Sequence, residues 1–523
     1  MSTIQILLIS FVAGFAYFSR RFMGDLYLER PVIIGPIVGL IMGDFEKGLV
    51  IGGTLELVFM GAVDIGGSVP MNYTIGTALG TAFAINSGES IEFALVVAVP
   101  AAILGSLFET FAKTISTIFV TYAEKSVEEG RFKSITVSTH LGNIVHGLSD
   151  AIPTFLALKL GSDAVNTMIE AFPEWLKNGV GVAGSMLPAL GFSLLLSSLA
   201  TRKLMPFFFL GFVLVSYLDI NLFGASFIAI LIALIIQVII KDDETEYEDS
   251  MQFEKVSSSL SDSDFKRLYW RSFGIQSAFS FDRMQALGFT WGLKPFLEKI
   301  YAGNDEGLKE AYLRHLSFIN THPWDSGPIY VLTAELEAKK AAGENIDGQT
   351  IQGLKSSLMG PLAGIGDSLF HGTLRPIVGG LCAGLAIEKN VFAPLIFFFA
   401  TNIVHVLVQW FLMKRTREIG ENTLRLLSTQ KFNKFMEGAS MTGLFSVGAL
   451  VASWLNINTG LKFTVGEATV ELQAMLDNIM PGILALLFTL LILWLIRKNI
   501  STTKIMILII ILGIVTGALG TFV

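Results

Sequence analysis

The sequence predicts an all-α polytopic membrane protein, built of two pseudo-symmetric, inverted-repeat-like units with broken or re-entrant helices. Composition is the first reason: of 523 residues 52% are hydrophobic and only 15% charged, with 51 glycines, 41 phenylalanines and a mean hydropathy of +0.62, against roughly 25% charge in soluble domains. The second is that apolar runs of bilayer-spanning length, roughly 20 residues, recur along the whole chain. The third is the stretch 241–267, KDDETEYEDSMQFEKVSSSLSDSDFKR, which is acidic, serine-rich and poor in aliphatics. Such a segment cannot support a packed core and reads as a flexible connector. It separates a membrane unit at 1–240 from a second unit at 268–523. Within the second unit, 268–351 reads as mostly interfacial or cytoplasmic helices and 352–523 as transmembrane.

The net charge of -7 says little about partners, and the basic residues are scattered at span ends rather than gathered on one face, which excludes nucleic-acid binding. The single cysteine, Cys382, excludes an internal disulfide and sits in an apolar run as an inert, buried thiol.

Residues 4–18 are apolar and are followed by Arg20 and Arg21, the reverse of the order in a secretory signal, so the segment is expected to be retained. It is short for a span, and an interfacial helix is the alternative. From 31 to 119 the apolar sequence is interrupted at Gly35-Pro36, Gly43-Asp44, Gly52-Gly53 and Gly66-Gly67. Short, glycine-broken segments are the sequence signature of a transporter's binding site, because half-helix ends leave backbone groups available at membrane depth. Within them stand Glu56, Asp64 and Asn72, whose spacing puts them on one face of an unbroken helix. Glu56, between Leu55 and Leu57, demands a partner or water, since an acidic side chain in such a place costs roughly 2.5 to 3.5 kcal/mol. Asp44, Glu46 and Lys47 read as an exposed loop. His140 and His146 lack cysteine or carboxylate at ligand spacing, so polar packing is expected rather than zinc. Two apolar runs, 204–219 and 221–240, suggest a hairpin whose Arg202, Lys203 and Lys241 mark the cytoplasmic side.

In the second unit, 270–301 is amphipathic and reads as an interfacial helix, while 304–351 is largely polar. Asn320, Thr321 and His322 precede Pro323, a pattern for a capped turn or a ligand-facing loop. The stretch 356–380, SSLMGPLAGIGDSLFHGTLRPIVGG, is apolar enough for a membrane yet carries Asp367, His371 and Arg375. Its glycines and Pro361 argue for a broken helix, and intramembrane ionisable groups are functional by default. A structural Asp367–Arg375 ion pair is the plainer alternative. Further apolar segments follow at 391–413, 438–455, 477–496 and 504–523, and Asn402 and His405 suit helix-to-helix hydrogen bonds. GPIVGLIMGD at 35–44 echoes GPLAGIGD at 360–367, and GTLE at 53–56 echoes GTLR at 372–375. This sets Glu56 against Arg375 and leads to the expectation that the two pair across a repeat interface.

The motifs GGTLELVFMGAVDIG in the first unit, and WRSFGIQSAFSFDRMQALGF, FINTHP and GLKSSLMGPLAGIGDSLFHGTLRPI in the second, resemble the IIC and IID subunits of the mannose, fructose and sorbose family of bacterial sugar phosphotransferase permeases. The likeness covers essentially the whole chain, as a fusion of two subunits. It implies that the two units enclose one sugar, a hexose or amino sugar, which a cytoplasmic IIB protein, recharged by IIA, phosphorylates at the inner face of the cell membrane. It also implies a trimer of such pairs embedded in lipid, with no cofactor and no metal, the chain being no enzyme by itself. By analogy the substrate-site positions are Gln5, Glu56, Asp64, Asn72, Asn320, His322, Asp367, His371 and Arg375. Mannose-type members tend to have NIG and a later aspartate where this chain has Asp64 and Asn72, and NYERMQ where it has SFDRMQ from Ser280, which bears on substrate identity rather than fold. The competing class is an ion- or proton-coupled secondary sugar transporter with Glu56, Asp64 and Asp367 as a relay.

Overall fold

The computed structural model describes residues 1–62, 71–170, 173–218, 220, 222–239, 258–422, 430–465 and 468–522. In the first unit the helices are α1 (Thr3–Phe22), α2 (Pro31–Met42), α3 (Phe45–Phe59), α4 (Tyr73–Asn86), α5 (Ile91–Glu128), α6 (Ser134–Glu170), α7 (Glu174–Met186), α8 (Pro188–Leu199), α9 (Met205–Leu218) and α10 (Leu222–Ile239). The second unit follows with α11 (Asp262–Ser272), α12 (Ala286–Ile300), α13 (Asp305–His315), α14 (Gly327–Ala341), α15 (Gly348–Gly366), α16 (Arg375–Ile387), α17 (Ala393–Ile419) and α18 (Gln430–Trp454). An antiparallel pair, β1 (Lys462–Val465) and β2 (Ala468–Glu471), precedes α19 (Leu472–Ile479), α20 (Ile483–Arg497) and α21 (Thr502–Ala518).

Among the described residues, Thr3–Phe22, Ile91–Glu128, Gly348–Ile387 and Ala393–Ile419 are long and apolar enough to cross a membrane, and α19 with α20 forms a further pair bent by 80°. The N-terminal segment is thus a full helix of 20 residues.

The glycines of 31–59 do two different jobs. Gly43, at φ +88°, ends α2, and Asp44 then caps α3 by accepting from Lys47 N at 3.0 Å. Gly35, Gly39, Gly48 and Gly52 lie inside the helices. A Cβ on Gly35 would come within 2.5 Å of Gly52 Cα, and one on Gly48 within 2.5 Å of Gly39 Cα. The result is a tight helical hairpin whose arms touch backbone to backbone. Glu56 and Asn72 consequently do not share one helix, since α3 ends at Phe59 and Asn72 caps α4. Gly66-Gly67 and Asp64 lie outside the described residues.

Helix α6 is amphipathic with its apolar side outward. Val137, Leu141, Ile144, Leu148, Ile152 and Leu156 are exposed, while Ser138, Thr139, Asn143, His146, Asp150 and Thr154 are fully buried. The outward stripe suits lipid, and the polar stripe is spent on contacts inside the protein. His146 Nε2 lies 3.1 Å from Ser116 Oγ and 3.0 Å from Phe279 O, which is the polar packing expected of it.

The predicted interfacial helix at 270–301 is broken by a turn at 273–285 into α11 and α12. With α13 and α14 these form a largely polar helical subdomain, whose core is completed by Val120, Ala123, Val127 and Ile135 from the facing ends of α5 and α6. The linker's last residues, 262–267, already belong to α11, which Ser261 caps by accepting from Asp264 N. Residues 241–257 lie outside the described residues.

The expected break at Gly360-Pro361 is not there. Residues 348–387 form one continuous helical path, in which Asp367–Leu374 is π-helical. A π segment keeps the chain helical while widening the turn, so side chains are re-aimed without exposing a helix end. The two echoed segments therefore differ in structure, one being a hairpin with a left-handed glycine corner and the other a through-going helix.

Candidate functional site

A polar cavity of ≈ 130 Å³ lies between the units, lined on one side by Arg20, Arg21 and Lys113 and on the other by Gln276, Gln285, Asn320, Thr321, His322, Asp367 and His371. A single water needs roughly 10–15 Å³ on this measure, so the space admits a small polar molecule or several waters.

The first wall is a buried ionic lattice. Arg20, at the end of α1, donates to Tyr73 Oη at 3.2 Å and lies 3.3 Å from Asp25 Oδ1 and 3.8 Å from Glu29 Oε1. Arg21 donates to Tyr17 Oη at 2.7 Å and across the units to Gln276 Oε1 at 3.2 Å, and meets Glu109 at 3.3 Å. Lys113 lies 3.0 Å from the same carboxylate, one helical turn along α5.

The second wall is a loop against the π segment. Gln285 clamps the loop by donating to Thr321 O at 2.7 Å and accepting from Thr321 N at 3.0 Å. Pro323 then starts a short 3₁₀ turn, and His322 caps it, its Nδ1 accepting from Trp324 N at 3.2 Å. Gly366 lets the helix approach, for a Cβ there would come within 2.3 Å of His322 Cβ. Behind the loop, the Trp324 ring stacks on His405 at 4.6 Å and 7°. Burial, and then the neighbouring His371, push His322 well below the usual imidazole range. With Nδ1 accepting, the neutral ring carries its proton on Nε2, which has no hydrogen-bond partner among the described residues.

One ligand-type atom each from His322, Asp367 and His371 lies within 4.8 Å of the others, close enough for a metal ion. Because Nδ1 of His322 is occupied and Nε2 bears the proton, that ring is set up to donate rather than to ligate, leaving two ligands where a stable site uses three or more.

Of the predicted site residues, Asn320, His322, Asp367 and His371 meet at this cavity. Others sit elsewhere. Gln5 closes a capping box with Ser2 at the start of α1 and donates to Ile41 O at 3.1 Å. Asn72 caps α4, accepting from Ile75 N at 3.0 Å, and donates to Asp150 Oδ1 at 2.8 Å.

The Glu56–Arg375 pair is not formed. Glu56 is fully buried and accepts from Arg30 Nε at 2.9 Å and from Val32 N at 3.3 Å, so its partner lies within its own unit. Arg375 instead donates to Met60 O at 3.0 Å, just past the end of α3, a position that suits a cation. The local alternative fails as well, since Asp367 Oδ1 faces His371 Nδ1 at 3.6 Å. Asn402 bonds not to another helix but to the loop between α1 and α2, donating to Leu26 O at 3.0 Å.

Sequence reasoning passed over Arg20, Arg21, Lys113, Gln276 and Gln285. Arg20 and Arg21 read as span-end charges, and Lys113 was hidden in a long apolar run. The available signal was the Glu109-x-x-x-Lys113 spacing, which marks a charged pair on one helix face within lipid depth.

Fold and site together define a polytopic helical membrane protein that encloses a polar cavity between two units. The family model described as the PTS system sorbose-specific IIC component matches residues 3–235, and that of the PTS system mannose/fructose/sorbose family IID component matches 259–522. The fructose permease IID component of Bacillus subtilis is 40% identical over 260 residues, 48% of this chain and 92% of that protein. The mannose-specific EIID component of Escherichia coli K12 is 37% identical, over 50% of this chain and 94% of that protein. Over the first unit, the sorbose-specific EIIC component of Klebsiella pneumoniae is 33% identical, covering 45% of this chain and 88% of that protein. A cryo-EM structure of the mannose transporter ManYZ with microcin E492 is similar over 50% of this chain and 98% of that one, at 36% identity and a TM-score of 0.31. The chain belongs to the mannose/fructose/sorbose family of phosphotransferase-system permeases, with a IIC component followed by a IID component. It is an integral protein of the bacterial inner membrane.

Proposed function

We propose that the chain is the sugar-translocating part of a phosphoenolpyruvate-dependent system, binding a hexose or amino sugar that a phosphorylated IIB protein, recharged by IIA, converts to the sugar phosphate. The observation that carries this reading is a polar cavity walled by side chains of both family-matched units. Sugars are hydroxyl-rich, and the lining supplies donors and acceptors in the mixture they need: amides from Asn320, Gln276 and Gln285, a carboxylate from Asp367, and imidazoles from His322 and His371. The recognition set is accordingly Asn320, His322, Asp367 and His371 with the newly found amides, while Gln5, Glu56, Asn72 and Arg375 are assigned to holding the fold.

The test is a sugar screen. Membranes containing this chain, given phosphoenolpyruvate and the soluble carriers, should phosphorylate at least one of mannose, fructose, sorbose and glucosamine, and should accumulate no free sugar without the carriers. Accumulation driven by a proton or sodium gradient alone would replace this reading with secondary transport.

A further inference from the structure

His371 stands on the π segment, 4% exposed, with its ring on the cavity wall and, among the described residues, no hydrogen-bond partner at either nitrogen. Two carboxylates bracket it. Nε2 faces Asp25 Oδ2 at 3.6 Å, and Nδ1 faces Asp367 Oδ1 at 3.6 Å. Asp25 comes from the other unit, is fully buried, and is steadied by Arg20 Nε at 3.3 Å. Its backbone is unusual: Asp25 and Tyr27 adopt φ of +60° and +58°, beside Gly24 at +95°. Left-handed conformations at non-glycine residues persist only where surrounding structure imposes them, and they gather at functional sites. The strain is therefore located where Asp25 is delivered to His371.

A buried carboxylate behind one nitrogen of an imidazole, whose other nitrogen faces Asp367 on the wall of a polar cavity, suits a general base and its orienting partner. We propose, building on the permease reading above, that His371 is the general base for phosphorylation of the bound sugar and that Asp25 is its positioning residue. In the reacting complex the Nε2–H closes on Asp25 from its present 3.6 Å, which favours the tautomer that leaves the lone pair on Nδ1. As the sugar hydroxyl oxygen attacks a phosphohistidine of the cytoplasmic partner, its O–H bond breaks and the proton passes to Nδ1. The P–O bond forms as the P–N bond breaks, and the electron pair of that bond returns to the partner's imidazole. Asp25 and Asp367 stabilise the imidazolium, which gives its proton to water when the sugar phosphate leaves, and water reprotonates the partner's ring. The phosphoryl group never resides on this chain.

The experiment uses the full chain in membranes with phosphoenolpyruvate and the soluble carriers, with mannose and fructose as probes. His371→Gln should lose turnover by about 10²–10⁴-fold, the usual range for a general base, a loss far larger than whatever it costs in sugar affinity. In His371→Ala, added imidazole should restore part of the turnover, and substituted imidazoles should do so in the order of their basicity. Asp25→Asn should lower kcat with KM unchanged and displace the acid limb of the kcat–pH profile, a change that a purely structural link between the units would not produce. Native turnover in His371→Gln, loss of sugar binding in step with turnover, or an absence of rescue by imidazole would each overturn the base assignment. Failure of the native chain to phosphorylate any sugar would overturn the permease reading, and the base assignment with it.

Discussion

Arg30 and Glu56 show how far a cost argument reaches at the scale of single residues. A carboxylate between two leucines needs a partner, and it has one: the pair is 0% exposed on both sides, with Val32 N donating a further hydrogen bond and the Arg30 guanidinium 4.6 Å from the Tyr73 ring centroid. The need for a partner was legible in the residue type. Its identity was not, because Arg30 lies 26 positions upstream at the start of α2, and only the hairpin fold brings it to Glu56. The second unit contributes closeness rather than charge: a Cβ on Gly379 would stand 3.3 Å from Glu56 Oε1. Glu56→Gln or Arg30→Gln alone should each destabilise the protein by about 3–5 kcal/mol, because a buried charge is left unpaired, and the double variant should cost far less than the sum. Glu56→Gln with Arg375→Gln should instead add within about 0.5 kcal/mol. Thermal unfolding in detergent measures both cycles, and strong coupling to Arg375 would restore the cross-unit pair.

At the scale of elements, what the sequence displayed and what it hid divide by periodicity. The span α17 was legible because a long apolar run has one interpretation in a bilayer, whereas α5 is one helix of 38 residues emerging from a region expected to be cut into short pieces. Helix α6 was not legible, since its polar stripe at Ser138, Asn143, His146 and Asp150 looks like the wet side of a soluble helix, and only lipid on the opposite face inverts the assignment. The π segment was equally hidden, because glycines that would break a helix in isolation were read without the packing that holds it together. The polar subdomain gives an element-level prediction. His315 is pushed by burial down to about 4, its ring lying 2.8 Å from Glu337 Oε1. Burial would raise Glu337, but the bonds from His315 and Arg314 outweigh it and hold that carboxyl at about 2. Both folded values lie below the ordinary 6.5 and 4.5, so the unfolded chain takes up protons first. The stability these groups contribute is complete above about pH 6.5, falls through His315 between 6.5 and about 4, and falls through Glu337 between 4.5 and about 2. Amide exchange in α13 and α14, corrected for intrinsic rates, should reveal opening that becomes about tenfold more frequent per pH unit below 6.5. A His315→Gln variant should lose that slope between pH 6.5 and 4.5, and an unchanged slope would assign it to another group.

At the scale of the whole molecule, the two family-matched units are interleaved rather than set side by side. Helices α9 and α10, expected to form a hairpin, instead lie chiefly against α18 of the second unit. At Gly211 a Cβ would meet Phe445 O at 2.0 Å, and at Gly448 one would meet Phe208 O at 2.0 Å, so α9 and α18 touch through two glycines, one from each unit. The same device joins α7 to α21, where a Cβ on Gly513 would stand 2.3 Å from Ala183 Cα, and α3 to α16, where one on Gly53 would stand 2.8 Å from Ala383 O. Seams of small residues are how helices associate in lipid, where burying apolar surface offers little between chains that are already in an apolar solvent. The core follows the seams, since Phe208 and Phe212 share one cluster with Leu444, Val447 and Leu450. Association of the units therefore depends on these contacts and not on the covalent tether. Residues 1–250 and 251–523 expressed together as separate chains should insert, co-purify in mild detergent, and phosphorylate the same sugars as the intact protein. Gly448→Leu in the severed form should release one half from the other, because the new side chain would have to displace the Phe208 carbonyl. In the intact chain it should lower thermal stability while the halves remain together. Halves that fail to co-purify without any substitution would show that the tether, and not the glycine seams, holds the pair.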